Sequence, residues 1–178
     1  MKGDSLKRIV KRSLENRGIN LSKDSSSLGL TPFVEVKNLL MRMQPVNNGH
    51  SLIRIGGEGD GGYLVPDDLK GIQACFSPGS NLLWSFEKEL ASRWNIPSYI
   101  CDSLDQRPHD LTSMQTFDEF WVGPFTDKFK YVSLQDWIGK HFILSDVEDL
   151  ALQMDIEGAE FLTLLSLPTE LLEKFRII

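Results

Sequence analysis

The sequence has few of the features that mark secreted, membrane-spanning or cysteine-rich proteins. Its 178 residues include only two cysteines, too few for a disulfide framework or a cysteine-rich zinc site. No apolar run approaches the roughly 20 residues that cross a bilayer, and no apolar segment follows the basic start, as a secretory signal requires. These absences predict a cytoplasmic protein with no transmembrane segment and with reduced, buried thiols at Cys75 and Cys101.

Charge is unevenly distributed along the chain. The net charge is −6, yet residues 1–23 hold seven basic side chains and two acidic ones, so that segment is +5 and the remainder is −11. An acidic body argues against binding of nucleic acid phosphates as the main activity. Within the basic segment, four apolar residues form a narrow helical stripe. A solvated terminal helix is the preferred interpretation, and a membrane-binding or partner-binding helix is the alternative.

The pattern of elements predicts two segments. Residues 1–32 are interpreted as a basic helix followed by a polar, serine-rich linker, and residues 33–178 as one domain. That domain begins with a helix over Phe33–Met43, followed by two apolar runs, Leu52–Ile55 and Tyr63–Val65, around a glycine-rich stretch. The stretch fits a hairpin with a long turn and a site loop equally well.

From Ile72 onward, strands and helices alternate. Strands are predicted at Ala74–Ser77, at Pro97–Cys101, within Phe117–Val122, at Leu150–Ile156 and at Phe175–Ile178. Helices are predicted at Leu82–Trp94, with Ser80 or Asn81 as its cap, at Ser133–Ile138 and at Ala159–Leu165. This alternation predicts an α/β fold, a Rossmann-like, doubly wound, mostly parallel sheet with an N-terminal helix and a β-hairpin extension. Ligands bind such sheets beyond the carboxyl ends of the strands, near the switch in strand order.

Two residues stand where a ligand would meet that edge. Gly79 follows a strand and opens a helix, where a side chain would obstruct close approach of a ligand. Since Phe76–Asn81 contains one glycine, the G-x-G-x-x-G pattern of dinucleotide binding is absent. Asp102 ends the second strand about twenty positions later and is placed to accept hydrogen bonds from ribose hydroxyls. A strand-end turn is the alternative interpretation of Asp102.

Carboxylates cluster at the end of the strand predicted over Leu150–Ile156. Asp155 and Glu157 are two residues apart, so on an extended segment both side chains point to one side. There they can attract a sulfonium cation, orient a hydroxyl or accept its proton. Two carboxylates can also hold magnesium with waters, but nothing else in the sequence favours a metal. The three histidines, His50, His109 and His141, show no ligand spacing and are interpreted as surface residues.

Four segments together resemble the FkbM-type methyltransferases. The segment MDIEGAEF (154–161) is similar to the signature of that family. Three more segments resemble its other elements, namely RIGGEGDGGYLVP (54–66), FSPGSNLLWSFEKELA (76–91) and VSLQDW (132–137). The resemblance spans about residues 50–178. Pro78 departs from it, because a small or apolar residue is expected there.

The resemblance implies a class I methyltransferase that uses S-adenosyl-L-methionine. By position, it implies cofactor contacts at Gly79, Glu87, Asp102 and Asp155, with Asp155 and Glu157 bordering the methyl-transfer site as catalytic residues. The implied reaction is O-methylation of a hydroxyl on a sugar, glycan or small metabolite. A non-catalytic nucleotide-binding or regulatory module on the same fold is the alternative.

The resemblance also implies that the C-terminal strands of the sheet are missing. Sheets of this family usually have more strands than the five predicted after Ile72. The last apolar run, Phe175–Ile178, would then form a strand whose outer edge exposes unpaired N–H and C=O groups. We therefore expect self-association through this edge.

Overall fold

A computed structural model describes residues 31–80, 83–103 and 108–178 of the chain. The predicted basic helix within residues 1–23 lies outside the described residues. Contacts divide the chain into one unit ending at Asn48 and another covering 49–178. In the first unit, helix α1 (Phe33–Arg42) ends one residue before the predicted position, and no described residue of the helix is buried. Among the described residues, no helix is both long and apolar enough to cross a membrane.

The second unit contains nine strands and four α-helices among its described residues. In chain order the strands are β1 (Leu52–Ile55), β2 (Tyr63–Pro66), β3 (Ala74–Pro78), β4 (Ser98–Cys101), β5 (Gln115–Asp118), β6 (Trp121–Gly123), β7 (Tyr131–Ser133), β8 (Leu150–Leu152) and β9 (Phe175–Ile177). The helices are α2 (Ser85–Trp94), α3 (Leu134–His141), α4 (Glu160–Leu165) and α5 (Thr169–Leu172), and Leu144–Asp146 forms a 3₁₀ turn.

Five of these strands form one parallel sheet in the order β5-β4-β3-β8-β9. The chain runs from β3 outward through β4 to β5, and then returns to the other side of β3 at β8. The strand order therefore switches between β3 and β8, which is the doubly wound arrangement that the sequence predicts. An α/β fold with a Rossmann-like parallel sheet is confirmed.

The sheet is covered on both faces, as its alternating side chains require. Ala74 and Phe76 of β3 join a cluster on one face with Trp137 of α3, whose ring centroid lies 5.0 Å from that of Phe76. Cys75 belongs to the cluster on the opposite face with Leu90 of α2. Cys75 and Cys101 are buried free thiols, as predicted.

The glycine-rich stretch connects an antiparallel hairpin. Ile55 of β1 pairs with Tyr63 of β2, and the alternation along both strands buries Ile55 and Val65. The buried side chains join the cluster beneath α2, so the hairpin packs on the same face of the sheet as that helix.

Several predicted boundaries are wrong. Strand β8 ends at Leu152, although the N–H groups of Gln153 and Asp155 still donate to the Phe76 and Pro78 carbonyls of β3. Helix α2 begins at Ser85 rather than Leu82, its N-cap residue is Trp84, and Ser80 does not cap it. The other predicted cap, Asn81, lies outside the described residues.

The third predicted strand is in fact two strands. Strand β5 ends at Asp118 and β6 begins at Trp121, where the chain leaves the main sheet. Strand β6 then pairs with β7, a strand that the sequence analysis did not predict, in a separate two-stranded parallel ribbon.

Candidate functional site

The carboxyl ends of β3, β4 and β8 meet at a cavity of about 590 Å³. Four of the five site residues predicted from the sequence line it, namely Gly79, Asp102, Asp155 and Glu157. The fifth, Glu87, lines an adjoining cavity of about 90 Å³, which shares Gly79, Asp155 and Glu157 with the first. The two cavities lie where the strand order switches, at the predicted edge of the sheet.

Gly79 holds two loops together through backbone contacts. Its φ is +85°, and a Cβ built on it would lie 1.8 Å from the carbonyl oxygen of Asp155. The Gly79 N–H donates to the Cys101 carbonyl (2.9 Å), and the Asp155 N–H donates to the Pro78 carbonyl (3.3 Å). Packing against the Asp155 loop thus requires glycine here, whether or not a ligand is bound.

Asp155 and Glu157 line the same cavities, but the extended geometry expected of them is wrong. The strand has already ended at Leu152, and Glu157 adopts a left-handed conformation with φ of +56°, followed by Gly158 at +97°. Such a conformation is uncommon for a residue other than glycine. A turn rather than a strand therefore presents the two carboxylates.

Glu160, at the start of α4, stabilises this turn. Its carboxylate accepts hydrogen bonds from the N–H groups of Ile156 (2.9 Å) and Gly158 (3.2 Å). Its own backbone N–H and these two N–H groups lower the pKa of the Glu160 carboxyl. Glu160 is thus a turn-stabilising residue at a helix start, where negative charge is favoured.

The lining of both cavities is acidic. Five acidic side chains contribute to it, from Asp60, Glu87, Asp102, Asp155 and Glu157, of which buried Glu87 has a raised pKa. No Lys, Arg or His is found among the described residues that line either cavity. This charge disfavours phosphate-bearing ligands and favours cations and hydroxyl groups.

Two aromatic side chains form one wall of the larger cavity. Trp121 of β6 and Tyr131 of β7 are paired in register, with ring centroids 5.5 Å apart, and each is about 40% exposed. The Lys130 ammonium lies 5.1 Å from the Trp121 ring and bonds the Ser103 hydroxyl (2.8 Å). The sequence analysis missed this wall because it did not predict β7. Exposed rings of this kind provide a stacking surface for a flat ligand group.

Glu87 is buried beneath the smaller cavity. Only 2% of its surface is exposed, Oε1 is hydrogen-bonded to the Ser77 hydroxyl, and Oε2 has no partner among the described residues. Burial raises the pKa of the Glu87 carboxyl, and the bond from Ser77 opposes this only in part. Such a perturbed, partly unsatisfied group is typical of a functional site.

The glycine-rich loop of the hairpin is also a wall of the smaller cavity, through Asp60 and Gly61. It is fastened to the first turns of α2. The Gly56 N–H donates to Glu89 (2.8 Å), and the Ser85 hydroxyl donates to the Gly56 carbonyl (2.5 Å). Of the two interpretations left open by the sequence, the hairpin turn is confirmed, and the site loop stays a prediction for a stretch that lines the smaller cavity.

A second polar cluster lies at the end of β5, outside both cavities. The carboxylate of Asp118 accepts hydrogen bonds from Trp137 (2.8 Å), His141 (2.7 Å) and the Lys140 ammonium. Burial opposes ionisation of Asp118, but these three donors outweigh it and lower the carboxyl pKa. The expectation that His141 is a surface residue is wrong, because 14% of its side chain is exposed and its ring lies 4.2 Å from that of Tyr99. The cluster fastens α3 to the sheet.

Within the described part of the chain, no three His, Cys, Asp or Glu side chains are grouped as a metal site would require. Comparison with known proteins found no family model, no curated protein and no solved structure that matches this chain.

Proposed function

We propose that this chain is an S-adenosylmethionine-dependent methyltransferase that acts on a hydroxyl of a sugar or small metabolite. The observation that carries the proposal is the acidic cavity at the switch point of the sheet. It joins Gly79, Asp102, Asp155 and Glu157, four of the five residues to which the resemblance to FkbM-type methyltransferases assigns cofactor contacts or the methyl-transfer site.

The residues present fit this cofactor better than a dinucleotide. S-adenosylmethionine has no phosphate and carries positive charge on its sulfonium and ammonium groups, which an acidic lining attracts. Asp102, at the end of β4, is placed to accept hydrogen bonds from ribose hydroxyls. In the smaller cavity, two buried oxygens, Glu87 Oε2 and Ser80 Oγ, have no partner among the described residues. Polar hydrogens of a ligand would satisfy them.

The cofactor, when bound, supplies an electrophilic methyl group on its sulfur. Asp155 and Glu157 are exposed to the cavity, where their carboxylates can hold the acceptor hydroxyl and take up its proton. The turn fixed by Glu160 limits the positions that these carboxylates adopt, and such positioning is a large part of catalysis between two bound reactants.

Calorimetric titration of the purified chain tests the proposal. S-adenosylmethionine and S-adenosylhomocysteine are expected to bind, and NAD is not. The acidic lining disfavours the pyrophosphate of NAD, and the turn at Gly79 lacks the further glycines of the dinucleotide-binding pattern. Binding of NAD, or of none of the three, would contradict the proposal. Cofactor binding without methyl transfer to a panel of sugars and small alcohols would favour the non-catalytic alternative.

A further inference from the structure

Helix α1 has a wide apolar face that is exposed to solvent. At about 100° per residue, its apolar side chains and that of the C-cap residue fall within an arc of about 220° of the helix circumference. These residues are Phe33, Val34, Val36, Leu39, Leu40, Met41 and Met43, and each is between 39% and 81% exposed. The polar residues Glu35, Asn38 and Arg42 lie on the opposite side. Contiguous exposed apolar surface of this kind marks an interaction site.

The helix is too short to gain much stability from its own backbone. It has ten residues, and its N-cap residue, Pro32, makes no side-chain hydrogen bond to the first turn. Helices shorter than about 12–15 residues are marginally stable in water by themselves. Burial of the apolar face against another surface would therefore stabilise α1.

The charge of the surrounding chain indicates the kind of surface. Residues 1–48, the unit that contains α1, have nine basic and four acidic side chains, a net charge of +5, whereas residues 49–178 have a net charge of −11. An anionic surface attracts the first unit and repels the second. Basic residues beside an amphipathic helix strengthen its binding to anionic lipids.

Lys37 distinguishes a bilayer from the apolar groove of a protein partner. On the helix circumference it falls between Phe33 and Met41, inside the apolar arc, and it is exposed. A protein groove that covered this arc would bury the Lys37 ammonium, which is unfavourable unless its charge is paired. At a bilayer surface, the same side chain extends along the apolar boundary and places its ammonium among the lipid phosphates. The position of Lys37 therefore favours a bilayer.

We propose that α1 binds in the plane of an anionic lipid bilayer surface. Leu40, near the centre of the apolar arc, inserts into the boundary between headgroups and acyl chains, and Lys37 and Arg42 contact the lipid phosphates. The basic residues within 1–23 add electrostatic attraction to the same surface. This inference goes beyond the proposed function and does not depend on it, because no cofactor and no methyl acceptor take part in the binding.

Cosedimentation of the full chain with lipid vesicles tests the proposal. Vesicles of equal parts phosphatidylcholine and phosphatidylglycerol are expected to bind the protein at least tenfold more tightly than vesicles of phosphatidylcholine alone, since each basic residue near an anionic surface adds to the attraction. Added salt is expected to weaken the binding, because it screens these charges. Absence of binding to the anionic vesicles, or equal affinity for both kinds, would overturn the proposal.

Two substitutions that leave the net charge unchanged test the role of the helix face. Leu40→Gln is expected to lower the affinity for the anionic vesicles by about tenfold or more, because the apolar surface of leucine is no longer buried. Asn38→Gln, on the polar side of the same helix, is the matched control and is expected to bind as wild type does. Leu40 and Asn38 are both exposed, so urea denaturation should show unchanged stability in both variants. Equal affinities of wild type and Leu40→Gln would overturn the proposal.

Sedimentation velocity without lipid tests the other occupant of this face, a second copy of the chain. Any self-association through the edge of β9 is expected to be the same in wild type and in Leu40→Gln. If wild type formed oligomers that Leu40→Gln did not, the face would be a contact between copies, and the bilayer proposal would be overturned. None of these measurements uses the cofactor, so failure of the proposed methyltransferase function would leave their outcome unchanged.

Discussion

The carbonyl oxygen of Asp155 lies 1.8 Å from the position that a Cβ of residue 79 would occupy. The loops after β3 and β8, neighbours across the switch in strand order, are thus packed backbone against backbone. This relationship makes the site dependent on the integrity of a single turn.

Gly79→Ala is therefore expected to destabilise the protein even without a ligand. A left-handed φ and a contact with backbone atoms together should lower the free energy of unfolding by about 2–5 kcal/mol. Urea denaturation measures this. Gly139→Ala in α3 is the matched control, because a Cβ there meets nothing within 4 Å and should stabilise the helix by about 0.5–1 kcal/mol. A Gly79→Ala protein as stable as wild type would show that the two loops are not packed in this way.

Asp102→Ala is expected to weaken binding of S-adenosylhomocysteine by about 1.5–3 kcal/mol, the range for a hydrogen bond to a charged group. The backbone bond from the Asp102 N–H to the Asp118 carbonyl (3.3 Å) does not depend on the side chain. Pairing between β4 and β5 should therefore persist, which urea denaturation checks. Asp146→Ala, the loss of an exposed carboxylate distant in sequence, controls for net charge. Unchanged affinity in Asp102→Ala would remove this residue from the site.

Glu87 and Glu89, on the same helix, are expected to give stability opposite dependences on pH. Burial raises the pKa of Glu87, so its contribution to stability is complete below the ordinary glutamate pKa and is lost as the pH rises through the raised value. Hydrogen bonds from the Gly56 N–H and from Arg93 lower the pKa of Glu89, so its contribution is lost as the pH falls. Urea denaturation across pH measures both effects. The decline in the free energy of unfolding at high pH should be absent in Glu87→Gln, and the decline at low pH should be absent in Glu89→Gln. If both variants lacked the same decline, the opposite pH dependences of Glu87 and Glu89 would be contradicted.

Asp118→Ala should destabilise the fold by about 1–3 kcal/mol, because the buried Trp137 N–H loses its acceptor. The lowered pKa of Asp118 means that its contribution is present above the ordinary aspartate pKa and is lost as the pH falls through the lowered value. The difference in stability between wild type and Asp118→Ala should therefore become smaller as the pH falls. Thermal unfolding across pH checks this, and a difference that widens in acid would contradict it.

Self-association of the chain stays a prediction that sedimentation velocity can test. Strand β9 is at one edge of the sheet, and no described residue pairs with its outer side. Helix α4 exposes Phe161, Leu162 and Leu165. Unpaired edges and exposed apolar faces promote association, so we expect species larger than a monomer. A single monomeric species at all concentrations would contradict this expectation.

The placement of Gly79, Asp102 and Asp155 could be predicted because it depends on the alternation of strands and helices along the chain. Residues that follow parallel strands must meet at one edge, wherever the strands themselves begin. The end of β8 at Leu152 could not be predicted, because Met154 and Ile156 continue the apolar alternation of the strand beyond it. The left-handed turn at Glu157 also escaped prediction, since nothing in its residue type requires it.

Contacts between distant positions were the second source of error. His141 has no metal-ligand spacing, and its environment depends on Asp118, 23 positions away. The wall formed by Trp121 and Tyr131 depends on a short ribbon whose pairing has no periodic signal. The hydrogen bonds of Ser77 in β3 join Glu87 of α2 to Gln153, which follows β8. Only the folded chain brings such groups together.

The hairpin loop also offers a position for an optical probe. A Cβ at Gly56 would lie 2.2 Å from the Gly61 carbonyl, and one at Gly62 would lie 2.2 Å from the Gly57 carbonyl, so neither glycine tolerates a side chain. Gly59 is exposed, has no positive φ, and has open space where a Cβ would be. Both native cysteines are buried, so a thiol-reactive dye would react selectively with Gly59→Cys. The dye would stand next to Asp60 at the rim of the smaller cavity and report on its occupancy through fluorescence.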